Sequence, residues 1–194
     1  MKHLVIIGSG NIGQIVHWYA TLSKDYMKAW DIKCHIDYAE DYEIEPDDVF
    51  VCAEMKPADR IRQTSVIRKK GGTFVNVIHP TANVAPSANL GSGIIVGAFS
   101  TISINASIKD DVIIQDQCNV GHDGIIENGS HLYVGVKLCG RNKIGSQSSV
   151  FTGVIVYPDV KVGDNCVVGA GSVVNRKVRD AETVLGNPAK KIEL

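Results

Sequence analysis

The chain has 194 residues, 44% of them hydrophobic and 21% charged, with a formal net charge of -1. That length builds one large or two small domains, and the balance is that of a folded globular protein rather than a disordered one. A near-neutral chain has no overall basic field to recruit nucleic acid or an anionic membrane surface, and no apolar run approaches the ~20 residues of a membrane span.

The first predicted element is a strand over Leu4 to Ile7, which Gly8-Ser9-Gly10 interrupts, so the N-terminus reads as a strand and not as a signal peptide. Residues 12 to 22 place Ile12, Ile15, Val16, Tyr19 and Leu22 on one face of a helix. A second strand runs from Ile32 to Ile36 and ends at Asp37. A third covers Val49 to Ala53, a second helix Pro57 to Lys69 with proline in its first turn, and a fourth strand Thr73 to Val77. This order predicts a small parallel α/β sheet of Rossmann-like type. The six acids between Glu40 and Asp48 predict a solvated loop. Gly71-Gly72 ends the second helix, which sets a domain of residues 1–73 against one of 74–194 in rigid contact. Five widely spaced cysteines, with no Cys-x-x-Cys pair, fit reduced thiols in a cytoplasmic protein.

Gly8-Ser9-Gly10-Asn11-Ile12-Gly13 matches G-x-G-x-x-G between strand and helix. There the backbone can approach a phosphate, and free helix N–H groups favour an anion. Asp37 stands where an acid can take a ribose hydroxyl. A region of ~73 residues holds little more than one mononucleotide half. The expected ligand is therefore a nucleotide carrying something other than nicotinamide, with Gly8, Ser9, Gly10, Asn11 and Asp37 as its contacts.

From Ile78 to Val174 an isoleucine, leucine or valine recurs every six residues without a miss. This period is neither that of a helix nor that of a long strand, and it predicts about five uninterrupted coils of a parallel β-helix. Small residues recur four positions later, as at Ser100, Ala106, Cys118, Ser130, Ser148, Cys166 and Ser172.

His122 follows inward Val120 by two positions, so it faces outward or along a corner, and Asp123 beside it can favour the imidazolium. One coil is 18 residues, which stacks Gly140 on His122, about 4.8 Å away. A base beside a bare backbone N–H is the minimum equipment for acyl transfer. An active residue on the outside of a prism needs a second wall, and a closed cyclic homotrimer supplies one. No metal is expected: the repeat region offers only His79, His122 and His131, and Glu127 stands five residues after His122.

The short glycine-loop domain, the Ile78-His79-Pro80 entry, the Gly-His-Asp of the coils and the closing Gly186-Asn187-Pro188-Ala189-Lys190 together resemble the NeuD/PglD-type bacterial sugar acyltransferases. The resemblance spans nearly the whole chain. It implies a left-handed coil, a homotrimer with sites between adjacent prisms, acetyl-CoA lying along the coils, and direct transfer without an acyl-enzyme. In that comparison the catalytic histidine and its acid match His122 and Asp123. CoA contacts match His131, Gly140 and Thr152, and the sugar-nucleotide contacts match Gly8 to Gly10 and Asp37-Tyr38. Tyr38 replaces the second acid of the family's pair and can stack on a base. Ala53-Glu54-Met55 replaces the family's Gly-Asp/Asn-Asn.

The resulting expectation is a cytoplasmic acetyltransferase that uses acetyl-CoA and acts on the amino group of a nucleotide-linked amino sugar in surface glycan or glycoprotein synthesis. The alternatives are O-acetylation of a sugar such as sialic acid, and a non-catalytic β-helix serving as a nucleotide-binding or assembly module.

Overall fold

The protein is described by a computed structural model covering residues 1–193. Its N-terminal part contains β1 (Lys2–Ile7), α1 (Asn11–Leu22), β2 (Trp30–Ile36), β3 (Asp48–Cys52), α2 (Pro57–Lys69) and β4 (Thr73–Phe74). The sheet is wholly parallel in the order β2-β1-β3-β4. A central parallel strand is covered on both faces, which is why Leu4, Val5, Ile6 and Ile7 form an unbroken apolar run. Period-2 alternation divides that run. Leu4 and Ile6 pack toward α1, whereas Val5 and Ile7 join Phe50, Ile67 and Phe74 beneath α2.

The remainder is a left-handed parallel β-helix. Two-residue strands recur in three sheets that begin at Val77–Ile78, Asn83–Val84 and Asn89–Leu90, here the first, second and third sheets. Each strand pairs in parallel with the strand one coil later, as Ile78 with Val96, Val120 with Leu138 and Ile126 with Ile144. The periodic residues from Val96 to Val174 are buried and form one continuous core. The third residue after many of them bends left-handed, with φ of 56° at Asp123 and 60° at Arg141. Aspartate and asparagine tolerate that conformation better than other side chains, and they recur there as Asn105, Asp111, Asp159 and Asn165. Past Val174 the final coil is two residues short, so Val178 pairs with Val162 and Val184 with Val168. A hairpin of Thr183–Leu185 and Lys190–Ile192 then closes the stack, with Ala189 against the core.

Three residues that point out of the first sheet, Val77, Ile95 and Ile113, are nevertheless buried, because α1 and the N-terminal sheet lie over them. This apolar stripe joins the two parts of the chain. On the other side α2 meets the coils with a polar face of Arg60, Thr64 and Arg68, spaced four residues apart.

Two expectations need correction. The expected strand Thr73 to Val77 is split between β4 and the first prism strand. Between them the Asn76 side chain donates to the Gly91 carbonyl at 2.9 Å and accepts from the Ile94 N–H at 2.9 Å, which starts the first coil. The acidic stretch is not wholly solvated either: Asp48 is buried and accepts from Lys33, Tyr42 and the Glu45 N–H. A buried carboxylate needs such partners.

Candidate active site

His122 lies in the turn between Asn119–Val120 of the second sheet and Ile125–Ile126 of the third. Asp123 is half-exposed, and its Oδ2 stands 2.7 Å from Nδ1 of His122. A carboxylate only accepts, so Nδ1 carries the proton and Nε2 is left as a free base. The other Asp123 oxygen accepts from Asn105 one coil below, at 3.2 Å. The hydrogen bonds from His122 and then Asn105 hold the Asp123 carboxyl below its ordinary range, so it stays ionised at neutral pH. Nε2 faces Gly140 one coil above, and a Cβ built on that glycine would overlap Nε2, Cε1 and Cδ2 of the ring. Among the described residues the Gly140 N–H meets no acceptor. The main chain beside it is fixed, with the Arg141 N–H donating to the His122 carbonyl at 2.8 Å and Asp159 bridging Arg141.

The glycine loop closes tightly. Gly8 adopts φ of 108°, and a side chain on Gly13 would collide with the Gly8 carbonyl. No side chain caps the first turn of α1, so its N–H groups are available to an anion. Asp37 is turned into this loop: one carboxylate oxygen accepts from Ser9 Oγ at 2.5 Å and from Ser9 N–H at 3.2 Å. The other oxygen takes no hydrogen bond among the described residues. Gln63 on α2 ties residues 37–39 in place, donating to the Asp37 carbonyl at 3.0 Å and accepting from the Ala39 N–H at 2.7 Å. Tyr38 projects beyond this anchored turn with 62% of its surface exposed.

His131 is on the first sheet, fully buried, with Nδ1 3.1 Å from the Met55 carbonyl and Nε2 without a partner. Its ring stacks on Tyr133 at 4.0 Å, and Tyr133 stacks on Phe151 at 4.4 Å. Thr152 follows at the exposed turn from first to second sheet. One chain therefore assembles the predicted residues at two places. His122, Asp123 and Gly140 share the second-to-third corner, whereas the glycine loop, His131 and Thr152 belong to the first sheet and the domain lying on it.

Sequence reasoning missed Arg60, Gln63 and Asn105. Asn105 was findable, being one coil below Asp123. Arg60 and Gln63 were not, since helix reading looks for an apolar stripe and α2 buries a polar one. Among the described residues no cluster of His, Cys, Asp and Glu could hold a metal ion, all five cysteines are free, and no helix is long and apolar enough to cross a membrane.

The family model of the bacterial transferase hexapeptide (six repeats) matches residues 143–176. A putative acetyltransferase of Saccharomyces cerevisiae is 30% identical over 148 residues, covering 71% of this chain and 74% of its own. The chain spans between 32% and 53% of the length of other curated relatives it matches. A mutant perosamine N-acetyltransferase from Caulobacter crescentus, solved with CoA and GDP-perosamine, superposes with a TM-score of 0.91 at 26% identity, over 100% of this chain and 98% of that one. The acetyltransferase domain of PglB from Neisseria gonorrhoeae, solved with acetyl coenzyme A, gives 0.90 at 28% identity, over 98% and 99%. Both superpositions run through the α/β domain as well as the coils, so the chain belongs to the hexapeptide-repeat transferases and, among them, to the sugar acyltransferases of the NeuD/PglD type.

Proposed function

We propose that the protein is an acetyl-CoA-dependent N-acetyltransferase acting on a nucleotide-linked amino sugar, with His122 as general base. The observation that carries this is the corner itself: an imidazole with its proton directed to a carboxylate and its free nitrogen against a bare glycine whose own N–H has no acceptor among the described residues. The likeness to a perosamine N-acetyltransferase solved with CoA and GDP-perosamine supports both the donor and an amine acceptor. The PglB domain solved with acetyl coenzyme A supports the donor independently.

The chemistry follows from the residues. The neutral sugar amine attacks the thioester carbonyl, and Nε2 of His122 takes the proton that the nitrogen sheds. Asp123 stabilises the imidazolium, and the Gly140 N–H receives the developing oxyanion. The C–S bond then breaks, and the imidazolium returns its proton to the CoA thiolate, restoring the neutral base. The uncapped first turn of α1 takes the diphosphate, with Ser9, Asn11 and Asp37 at the ribose and Tyr38 against the base. Thr152 borders the CoA groove, with His131 buried in the first sheet behind it.

Because His122 and the nucleotide loop occupy separate regions of one chain, the complete site is built between copies. A cyclic homotrimer brings the His122 corner of one protomer to the first sheet of the next. The exposed Phe99, Ile104, Ile155 and Tyr157, on the second sheet and its flanking turns, provide the apolar surface for it. Cytoplasmic acetyl-CoA and nucleotide sugars set the compartment.

The decisive experiment measures CoA release from acetyl-CoA with a panel of GDP-, UDP-, dTDP- and CMP-linked amino sugars, alongside their hydroxyl counterparts. Release with an amino sugar and none with its hydroxyl analogue is expected. Release only with hydroxyl acceptors would make the enzyme an O-acetyltransferase, and no release with any would leave a binding module.

A further inference from the structure

Arg60 is fully buried, yet no carboxylate sits on its guanidinium. A buried charge requires either a counter-charge or a full set of hydrogen bonds, and Arg60 has the second. Nε donates to the Asp111 carbonyl at 2.8 Å. Nη1 donates to the carbonyls of Glu54 at 2.5 Å and Met55 at 3.2 Å. Nη2 donates to Gly129 at 2.5 Å and Ser130 at 3.2 Å. One side chain on α2 thus gathers the loop after β3 and two successive coils of the prism. That loop also adjoins the nucleotide loop, since Ala53 lies against Gly8.

The Met55 carbonyl held by Arg60 is the partner of His131. A carbonyl only accepts, so Nδ1 of His131 carries the ring proton. Burial, and then the nearby Arg60 charge, push the imidazole down to about 3, so no second proton is added at neutral pH. Nε2 is left as a lone acceptor, shielded from solvent and without a partner. An unmet buried acceptor is costly until a donor reaches it.

We propose that Arg60 is a positioning residue for the transfer site: it fixes the Met55 carbonyl and through it locks His131 in the Nδ1–H form, whose Nε2 receives an N–H of a substrate. The substrate clause rests on the acyltransferase reading; the lock does not. In this arrangement His131 is neither a second base nor a donor to the thioester oxygen. It reads an amide or amine N–H, such as those of the pantetheine arm of CoA.

The test uses the full-length protein with ¹⁵N-labelled histidines and two-bond ¹H–¹⁵N correlation spectra. His131 should show a protonated Nδ1 and a bare Nε2 that persist at pH 5, and the Nε2 resonance should move upfield on saturation with acetyl-CoA. Arg60→Lys keeps the charge but cannot reach five carbonyls. It should blur the His131 tautomer and raise KM for acetyl-CoA about 10-fold or more, with a smaller loss of kcat than His122→Ala. If that variant does not fold, the wild-type spectrum decides. A proton on Nε2, titration of His131 at pH 5, or an Nε2 resonance unmoved by bound acetyl-CoA overturns the proposal, as does a folded Arg60→Lys with unchanged tautomer and kinetics. Should calorimetry show that acetyl-CoA does not bind at all, the acyltransferase reading fails, and the Arg60 lock is judged on the tautomer alone.

Discussion

Gly140 stands against the free nitrogen of His122 so closely that a single methyl group on it would occupy the space of the imidazole. The two residues are 18 positions apart, one coil, and their register is set by the pairing of Asn119–Val120 with Lys137–Leu138 just before them. The strands therefore fix how the imidazole meets Gly140, and the proposed chemistry depends on a residue with no side chain.

Gly140→Ala tests this. The added Cβ must push the imidazole off its place while the core behind it, Val120 and Leu138, stays packed. We expect kcat to fall by about 10²-fold or more, with the melting temperature changed little, because the strain falls on an exposed ring. Steady-state kinetics with thermal unfolding check it. Retained turnover would show that the base does not work from the position seen here.

His122→Ala should lower kcat by about 10²–10⁴-fold with acetyl-CoA binding nearly intact, since the proton is removed only on the way to the transition state. Asp123→Asn should cost less, because the ring keeps a partner at Nδ1. The carboxylate of Asp123 is ionised at neutral pH and favours the imidazolium. Removing its charge should therefore lower kcat with little change in KM for acetyl-CoA. An unchanged kcat would remove Asp123 from the mechanism.

The coils were legible because burial in the prism requires one aliphatic residue per six, a period that neither a helix nor a long strand produces. The corner was legible for the same reason: once the coil length is known, position in sequence is position in space, and Gly140 falls above His122. The junction between the two parts was not. Ile95 and Ile113 point outward from the prism, and only the domain lying over them explains why they are apolar. On α2 Ile67 is buried beside three polar residues, Arg60, Gln63 and Thr64, which serve carbonyls, a loop and the Asp111 carboxylate that no local pattern announces. Asp37 was read as a ribose ligand, but its engagement by Ser9 depends on the tertiary turn.

Assembly can be tested apart from chemistry. Tyr157 and Ile155 expose apolar surface next to the His122 corner, 50% and 39% respectively. Ile155→Asp with Tyr157→Asp places charge on that surface without touching the core, where Val156 remains. Light scattering should show a trimer for the wild type and a smaller species for the variant. Activity should be lost in proportion if, as proposed, the site is shared between protomers. A stable monomer with full activity would refute the shared site.

The last prediction concerns Asp48, which anchors the start of β3. Its carboxylate accepts from Lys33 at 2.9 Å, from Tyr42 at 2.9 Å and from the Glu45 N–H at 2.8 Å. Burial works against the charge, but these three partners outweigh it, and the carboxyl is held below its ordinary range. A lowered folded-state pKa stabilises the fold above the unfolded value of about 3.9, and that contribution is lost as pH falls through the folded one. Asp48→Asn should accordingly lower stability at neutral pH by about 1–3 kcal/mol, since an amide cannot serve three donors. Denaturant unfolding at a series of pH values should show wild type and variant beginning to converge below pH about 4 and meeting only at lower pH, where the wild-type carboxyl itself is protonated. A difference that stays constant from pH 7 to pH 3 would mean that Asp48 contributes through shape and not through charge.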